Sequence, residues 1–408
     1  MKPQQFVGLD VGTSNVRCLV GTFDPNTSSM PSIIGHGQSE NQGMRRGAVV
    51  HVDDVAEAIT KAVMEAERIS GMSIDRATVN VNGSHVSGIN SDGVIAISAA
   101  NREITPEDRL RVEEAATIVK LPTNREIIQF FAKNYSLDGQ KNIKDPVGMN
   151  GVRLEVDAHM VTAATPNLRN LDMALEKAGI TPTHHTVSSL AAAEAVFTRQ
   201  QKEAGTALID IGAGTTNLII FEDGEVQYVS VLPMGGQHIT NDLAIGLKTD
   251  LDIAEKVKVK CADLRQGHNK STAVVKLNDK THTFPFDDVS MIVEARVEEL
   301  MEYVDKELQK VKKSHKLPGG IVLTGGTSNL PGIEEVARNK LELAARKGKL
   351  HNIGGLVDTV EDSGYITVVG LMLLDMLLLP SLPPEQAGRH TARSAKSLIK
   401  NVYNHIKP

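Results

Sequence analysis

Tryptophan is absent and aromatic residues make up only 3% of the 408-residue chain, which leaves little material for stacking on nucleobases. Positive charge is also in short supply. The formal net charge of −6 is the wrong sign for a surface that follows a nucleic-acid backbone, so no nucleic-acid partner is expected. Cysteine is nearly missing: Cys18 and Cys261 stand alone, without the paired spacing of a thiolate zinc site, and fit a reducing compartment. A membrane-length apolar run is lacking too. The longest, 366-ITVVGLMLLDMLLL-379, carries Asp375 and falls short of the ~20 residues of a spanning helix, so a buried helix is expected there. The opening MKPQQFVGLD moves directly into a strand pattern, and no signal peptide is expected.

What is present is strand–helix alternation over most of a chain long enough for two or more domains. In 52-VDDVAEAITKAVMEAERISG-71, Val55, Ile59, Ala62, Val63, Ala66 and Ile69 fall on one helical face, with Gly71 as the stop. The stretch 77-ATVNVNG-83 reads as a strand. Between about Ser84 and Met160 the texture changes to short β-like runs (94–98, 152–162), one helix over 106–119 and a polar loop over 136–151. This reads as a small α+β module inserted in the first half. The second half contributes a helical region at 252–264, a β-prone segment from Val274 to Phe286, a long helix from Asp288 to His315, and a proline-bearing linker at 380–393.

One pattern is written twice. Both 9-LDVGTSNVRCLVGTFD-24 and 209-IDIGAGTTNLIIFEDGEV-226 run apolar–Asp–apolar–Gly, then small hydroxyl residues and Asn, then a second apolar run. Matching Asn15 to Asn217 makes the second turn two residues longer than the first. Backbone N–H groups of such turns, with Thr and Ser hydroxyls, can wrap phosphate oxygens. Asp10 and Asp210 cannot bind phosphate directly; their expected role is to hold a hydrated Mg²⁺ or to orient a water. Two such turns from two domains would grip one nucleotide from both sides. A third turn, 324-TGGTSNLPG-332, stands between a buried-type strand and a helix, and its paired glycines permit flat approach to a base or ribose.

The C-terminus reverses the charge of the body. Residues 388–408 hold Arg389, Arg393, Lys396, Lys400 and Lys407 and no acid. Within 393–408, Leu398, Ile399, Val402, Tyr403 and Ile406 form one stripe with Lys396, Lys400 and Lys407 outside it. Three turns are marginal as a helix in water; a surface must induce it. Each cation adds roughly 1 kcal/mol near an anionic leaflet, enough with the stripe for a reversible in-plane anchor. A disordered basic tail and a helix docked on the body remain the other readings.

The ordered set of three turns resembles the actin/Hsp70/hexokinase superfamily. Within it, 135-YSLDGQKNIKDPVGMNGVRLEVDAHMVTA-163, 233-PMGGQHITNDLAIGL-247 and 321-IVLTGGTSNLPG-332 resemble the bacterial FtsA family of actin-like division proteins, over nearly the whole chain. The resemblance implies an α/β, two-lobed ATPase fold with duplicated sheet–helix domains, an inserted SHS2-like subdomain and a C-terminal amphipathic helix. The implied divisions are 1–83 and 164–204 (subdomain 1A), 84–163 (1C), 205–246 and 321–380 (2A), 247–320 (2B), 381–394 (flexible linker) and 395–408 (membrane-targeting helix).

Carried onto this sequence, the resemblance places Gly12, Thr13, Ser14 and Asn15 on the phosphates of ATP from one side and Gly212, Gly214, Thr215 and Thr216 from the other. Asp10 and Asp210 would handle Mg²⁺ and its waters, with Asp210 also the catalytic candidate. Gly235 and Gly236 would lie by the sugar-phosphate region, Glu255 and Lys258 by the ribose and base, and Gly325 and Gly326 by the adenosine. Where many FtsA chains have Lys, this one has Asn15, and Arg17 is expected to face elsewhere. In 186-TVSSLAAAEAVF-197 the place of a catalytic carboxylate falls to Ser189, with Glu194 the nearest acid. At most weak ATPase activity is implied, with ATP mainly an assembly ligand. The implied partners are the FtsZ C-terminal tail, further copies of the chain, other division proteins and anionic inner-membrane lipids, at the cytoplasmic face of the division site. Two readings of the same fold stay open: a PilM-like pilus ATPase, which would not be expected to carry the basic tail, and a small-molecule kinase, which needs a carboxylate base facing a sugar pocket.

Overall fold

The computed structural model describes residues 4–24, 30–98, 101–119, 121–265, 271–351 and 353–378. The expected linker at 381–394 and the tail residues Lys396, Leu398, Ile399, Lys400, Val402, Tyr403, Ile406 and Lys407 lie outside them.

Two sheets of matching design dominate. In the first, Gln4–Val11, Asn15–Phe23 and Ser32–Glu40 form an antiparallel meander, and Arg76–Val81 pairs parallel to its first strand. Thr181–Val187 extends it in parallel. In the second, Thr206–Ile211, Thr216–Glu222 and Glu225–Leu232 repeat the meander, and Gly320–Thr324 and then Ala345–Lys347 add in parallel. The duplication read from two short turns therefore extends to strand order.

Helices cover these sheets because their apolar residues recur at helical spacing. Val52–Ser70 buries Val55, Ile59, Ala62, Val63 and Ala66 and stops at Gly71, whose left-handed φ of 69° closes the last turn. Ile366–Leu378 is the buried helix expected of the longest apolar run. It approaches its neighbours so closely that a Cβ on Gly370 would come within 1.7 Å of Ala191 O. Its Asp375 is buried, where it accepts from Val7 N–H (3.0 Å), Thr78 Oγ1 (2.8 Å) and Thr183 Oγ1 (2.9 Å). No helix among the described residues is long and apolar enough to cross a membrane.

A separate antiparallel sheet has its own core, built from residues such as Phe130, Tyr135, Leu154 and Met160. Its order is Val86–Ala96, Arg153–Ala164, Arg125–Leu137, Gln140–Ile143, with the helix Pro106–Thr117 packed on it. Two sequence expectations need correction here. Arg125–Leu137 is a 13-residue strand that the sequence pattern did not announce. The stretch read as a polar loop at 136–151 contains Gln140–Ile143, which turns back at Asp138–Gly139 to pair Ile143 with Tyr135. In the second lobe, the helices Leu251–Cys261 and Phe286–Lys310 flank the hairpin Thr272–Leu277/Lys280–Pro285; the order is the one the sequence indicated, but the long helix takes in Phe286 and ends at Lys310 rather than at His315.

Candidate functional site

Each meander delivers an aspartate to the end of its first strand and then bends. Gly12 N–H donates to Asn15 O at 3.0 Å and Gly212 N–H to Thr215 O at 2.9 Å. The strand registers agree: Asp10 stands opposite Arg17, and Asp210 opposite Asn217. The two turns are therefore equal in length, which corrects the expected two-residue difference. Asn15 corresponds in the backbone to Thr215, and the true counterpart of Asn217 is Arg17. Thr13, Ser14, Ala213 and Gly214 N–H have no acceptor among the described residues. Such uncommitted N–H groups in successive turn positions make an anion cradle.

The two cradles face each other. A Cβ on Gly214 would lie 2.8 Å from Thr13 Oγ1 and 3.1 Å from Arg46 Cα. Arg46 belongs to the short hairpin Met44–Arg45/Ala48–Val49, whose Gly47 N–H donates to Thr13 Oγ1 at 3.1 Å. Asn82, just past the strand Arg76–Val81, donates from Nδ2 to Thr215 Oγ1 at 2.9 Å.

Both carboxylates are buried, Asp10 at 8% exposure and Asp210 at 6%. Asn80 Nδ2 donates to Asp10 Oδ1 (2.7 Å) while its Oδ1 takes Val11 N–H (2.7 Å), which fixes the end of the strand. Asp210 takes Asn217 Nδ2 at 3.0 Å and Thr324 Oγ1 at 3.4 Å. Burial pushes the Asp10 carboxyl up to about 7; the Arg17 charge opposes this and the neighbouring Asp210 charge adds to it. Asp210 is likewise raised by burial, against its hydrogen bonds from Asn217 and Thr324 and the charge of Arg17. Two buried, mutually repelling carboxylates are short of positive charge. Among the described residues no cluster of three or more His, Cys, Asp or Glu forms a metal cage. A pair of carboxylates suits Mg²⁺, which keeps waters and takes its other ligands from phosphate.

Arg17 is the cation the sequence reading missed. Expected to face elsewhere, it exerts its charge on both carboxylates, with Nε bonded to Gln38 Oε1 (3.1 Å) and the guanidinium 5.0 Å from the Tyr365 ring centre. Asn15 is half-buried and its Oδ1 accepts from Gln38 Nε2 at 3.1 Å.

The third turn presses on the second. Gly325 has φ 84°, and a Cβ there would lie 2.5 Å from Ile211 O and 2.6 Å from Asp210 Oδ1, so only glycine fits. Thr327 Oγ1 and Gly236 N–H both donate to Gly212 O, at 3.0 and 2.9 Å, and Gln237 N–H donates to Ala213 O at 2.8 Å. The helix Gly236–Gly246 thus ties back the carbonyls of the second turn through its first N–H groups. Lys258 Nζ reaches Gly236 O (3.2 Å), Thr240 Oγ1 (2.9 Å) and Glu255 Oε2 (2.6 Å), which brings Glu255 and Lys258 beside Gly235 and Gly236. A Cβ on Gly326 would meet nothing within 4 Å. Thr216 is buried and hydrogen-bonds Met234 O at 2.8 Å, so it braces the turn from behind.

Ser188, not Ser189, joins the Asp10 network, accepting from Asn80 Nδ2 at 3.2 Å. Ser189 is fully buried, and its hydroxyl has no partner among the described residues. Glu194 pairs with Lys202 at 2.7 Å, both side chains largely buried, and is committed to that ion pair. Asn80 and Asn82 had a faint sequence signal: two amides at alternate positions of an apolar strand, hence on one face.

The family model "SHS2 domain inserted in FTSA" matches residues 83–162, and "Cell division protein FtsA" matches 207–370. The chain is 37% identical over 372 residues to cell division protein FtsA of Bacillus subtilis (90% of this chain, 82% of that one). It is 34% identical over 374 residues to FtsA of Pseudomonas aeruginosa (91% and 89%). Among solved structures, the PilM-PilN type IV pilus biogenesis complex is similar with TM-score 0.64 at 16% identity (91% of this chain, 98% of that one). MreB5 of Spiroplasma citri bound to ADP is similar with TM-score 0.54 at 14% identity (91% and 96%). The structural likeness establishes an actin-like fold that a pilus protein shares. Sequence identity along nine-tenths of the chain decides among the users of that fold: this chain belongs to the family of the cell division protein FtsA.

Proposed function

We propose that this protein binds ATP with Mg²⁺ between its two facing turns, self-assembles with ATP as the assembly ligand, and attaches FtsZ filaments to the cytoplasmic membrane face at the division site. One observation carries the nucleotide part: uncommitted N–H groups of Thr13, Ser14, Ala213 and Gly214 in two turns that oppose each other, flanked by two buried aspartates. Gly12 and Gly212 let the backbone bend, Thr13, Ser14, Asn15, Thr215 and Thr216 supply or brace the polar lining, and Asp10 and Asp210 hold the metal through its waters. Mg²⁺ supplies charge neutralisation for the phosphates. Gly235, Gly236, Glu255, Lys258, Gly325 and Gly326 border the place left for the nucleoside. Hydrolysis is slow on this reading, because Ser188 rather than a carboxylate adjoins Asp10 through Asn80 and Glu194 is held by Lys202.

The membrane and FtsZ parts rest on the family and on the basic, striped sequence after residue 388. The divisions at 83/84, 163/164, 204/205, 246/247 and 320/321 belong to the same proposal, with attachment to other division proteins. Titration of the full chain with Mg·ATP tests the site, and loss of binding in Asp210→Ala is expected. No binding by the wild type would refute it. Removal of residues 394–408 is expected to abolish sedimentation with anionic liposomes and leave ATP binding intact; undiminished sedimentation would sink the anchor. Capture by an immobilised FtsZ C-terminal peptide separates this function from a pilus ATPase or a kinase.

A further inference from the structure

The second turn has two flanks with different neighbours. One flank, Gly212–Ala213, is tied to Gly236, Gln237 and Thr327, beside the place left for the nucleoside. The other, Gly214–Thr215, meets the first lobe at Thr13, Arg46 and Asn82. A nucleotide laid along this turn with its sugar at the first flank brings its terminal phosphate to the second.

Asn82 is held for a single orientation there. Gly83 N–H donates to Asn82 Oδ1 at 2.7 Å, which leaves Nδ2 as the end that points at Thr215 Oγ1. The bend after it depends on Gly83, whose φ of 119° no side chain tolerates well and whose Cβ would lie 2.8 Å from Gly47 O. A hydroxyl that accepts from Asn82 has its own proton free to donate elsewhere. Thr215 is buried at 2% exposure, so bulk solvent is not the acceptor of that proton.

We propose that Asn82 is a positioning residue that latches the first lobe to Thr215 and turns the Thr215 hydroxyl into a donor for the terminal phosphate, making cleft closure depend on ATP rather than ADP. This rests on the nucleotide reading above. With a terminal phosphate present, Thr215 is bonded on both sides and the lobes are bridged through it. With ADP the hydroxyl has only Asn82, and the bridge is one hydrogen bond.

Calorimetric titration of the full chain with Mg·ATP and with Mg·ADP tests the latch. In Asn82→Ala the ratio of ATP to ADP affinity is expected to fall about tenfold, with ADP affinity moved less than about twofold. Asn82→Leu, similar in size and uncharged but without the N–H donor, is expected to lose the preference as well. Thr215→Val combined with Asn82→Ala is expected to lose no more than Thr215→Val alone, since both remove one path. Equal weakening for ATP and ADP, or losses that multiply in the double variant, would overturn the latch while leaving the nucleotide reading standing. Failure of the wild type to bind either nucleotide overturns both. If Asn82→Ala shows a lowered thermal midpoint without nucleotide, Asn82→Leu decides the matter, because it fills the space of the side chain without adding a charge.

Discussion

His159 joins the inserted sheet to the second lobe and is expected to make that junction sensitive to acid. It is 1% exposed. Its Nε2 accepts Val229 N–H at 3.0 Å, Nδ1 faces Asn90 Oδ1 at 2.7 Å, and the ring lies 5.4 Å from that of Tyr228. These contacts require the neutral tautomer with the proton on Nδ1. Burial, with the nearby Lys133 charge second, lowers the pKa from the ordinary 6.5 to about 4. At 1.36 kcal/mol per unit this corresponds to ~3 kcal/mol. The sign follows from linkage. Between pH 6.5 and 4 the unfolded chain binds a proton that the folded site refuses, so the contribution is complete above 6.5 and is lost as pH falls through 4. Other groups titrate in the same range, so the wild type must be compared with His159→Phe, which cannot charge. Hydrogen exchange at the Val229 amide, corrected for intrinsic rates, isolates the junction. Protection in the wild type is expected to drop by one to two orders of magnitude between pH 7.5 and 5, and in His159→Phe to be lower at pH 7.5 but nearly flat. Parallel pH profiles in the two proteins would show that His159 does not set the acid sensitivity of this junction.

Other sites give sharper single measurements. Asp375→Ala removes the acceptor of Val7 N–H, Thr78 and Thr183 and is expected to lower stability by ~2–4 kcal/mol in denaturant unfolding; Asp375→Asn should lose less. Gly370→Ala places a methyl 1.7 Å from Ala191 O and is expected to cost ~1–3 kcal/mol or prevent folding, read by the same unfolding curve. Arg17→Ala removes the cation whose charge opposes the rise in both carboxyl pKa values. It is expected to weaken Mg·ATP binding roughly tenfold, about 1.4 kcal/mol, whereas unchanged affinity would show that Arg17 serves only Gln38 and Tyr365.

The parts of the fold legible in the sequence are those governed by local periodicity. Val52–Ser70 and Ile366–Leu378 each carry their apolar face within one stretch and, in the first case, their stop signal as well. Arg125–Leu137 was not legible, because its apolar run IIQFFA lacks clean alternation. The structure shows why: its pairing with Arg153–Ala164 shifts register at Asp157/Ala158 and again at Val161/Thr162, which breaks the period of two. At the site, the glycines and aspartates of the turns were readable as a repeated word, but the partners that complete them were not. Asn80 and Asn82 enter only because Arg76–Val81 pairs with Gln4–Val11, a contact between segments some seventy residues apart.

The two turns correspond by backbone rather than by letter. Matching letters paired Asn15 with Asn217 and left Arg17 without a role. Matching backbone bonds, Gly12 to Asn15 and Gly212 to Thr215, makes the turns equal and sets Arg17 where Asn217 stands. A duplicated fold keeps the hydrogen bonds that shape its turn, since those hold the bend, while the side chain opposite each aspartate is free to diverge. One copy faces its carboxylate with an amide that bonds it; the other faces it with a cation that also acts on its twin. The two halves are alike in backbone and unlike in charge. The nucleotide proposed above is itself asymmetric, and a site built by repetition would meet its two ends through that difference.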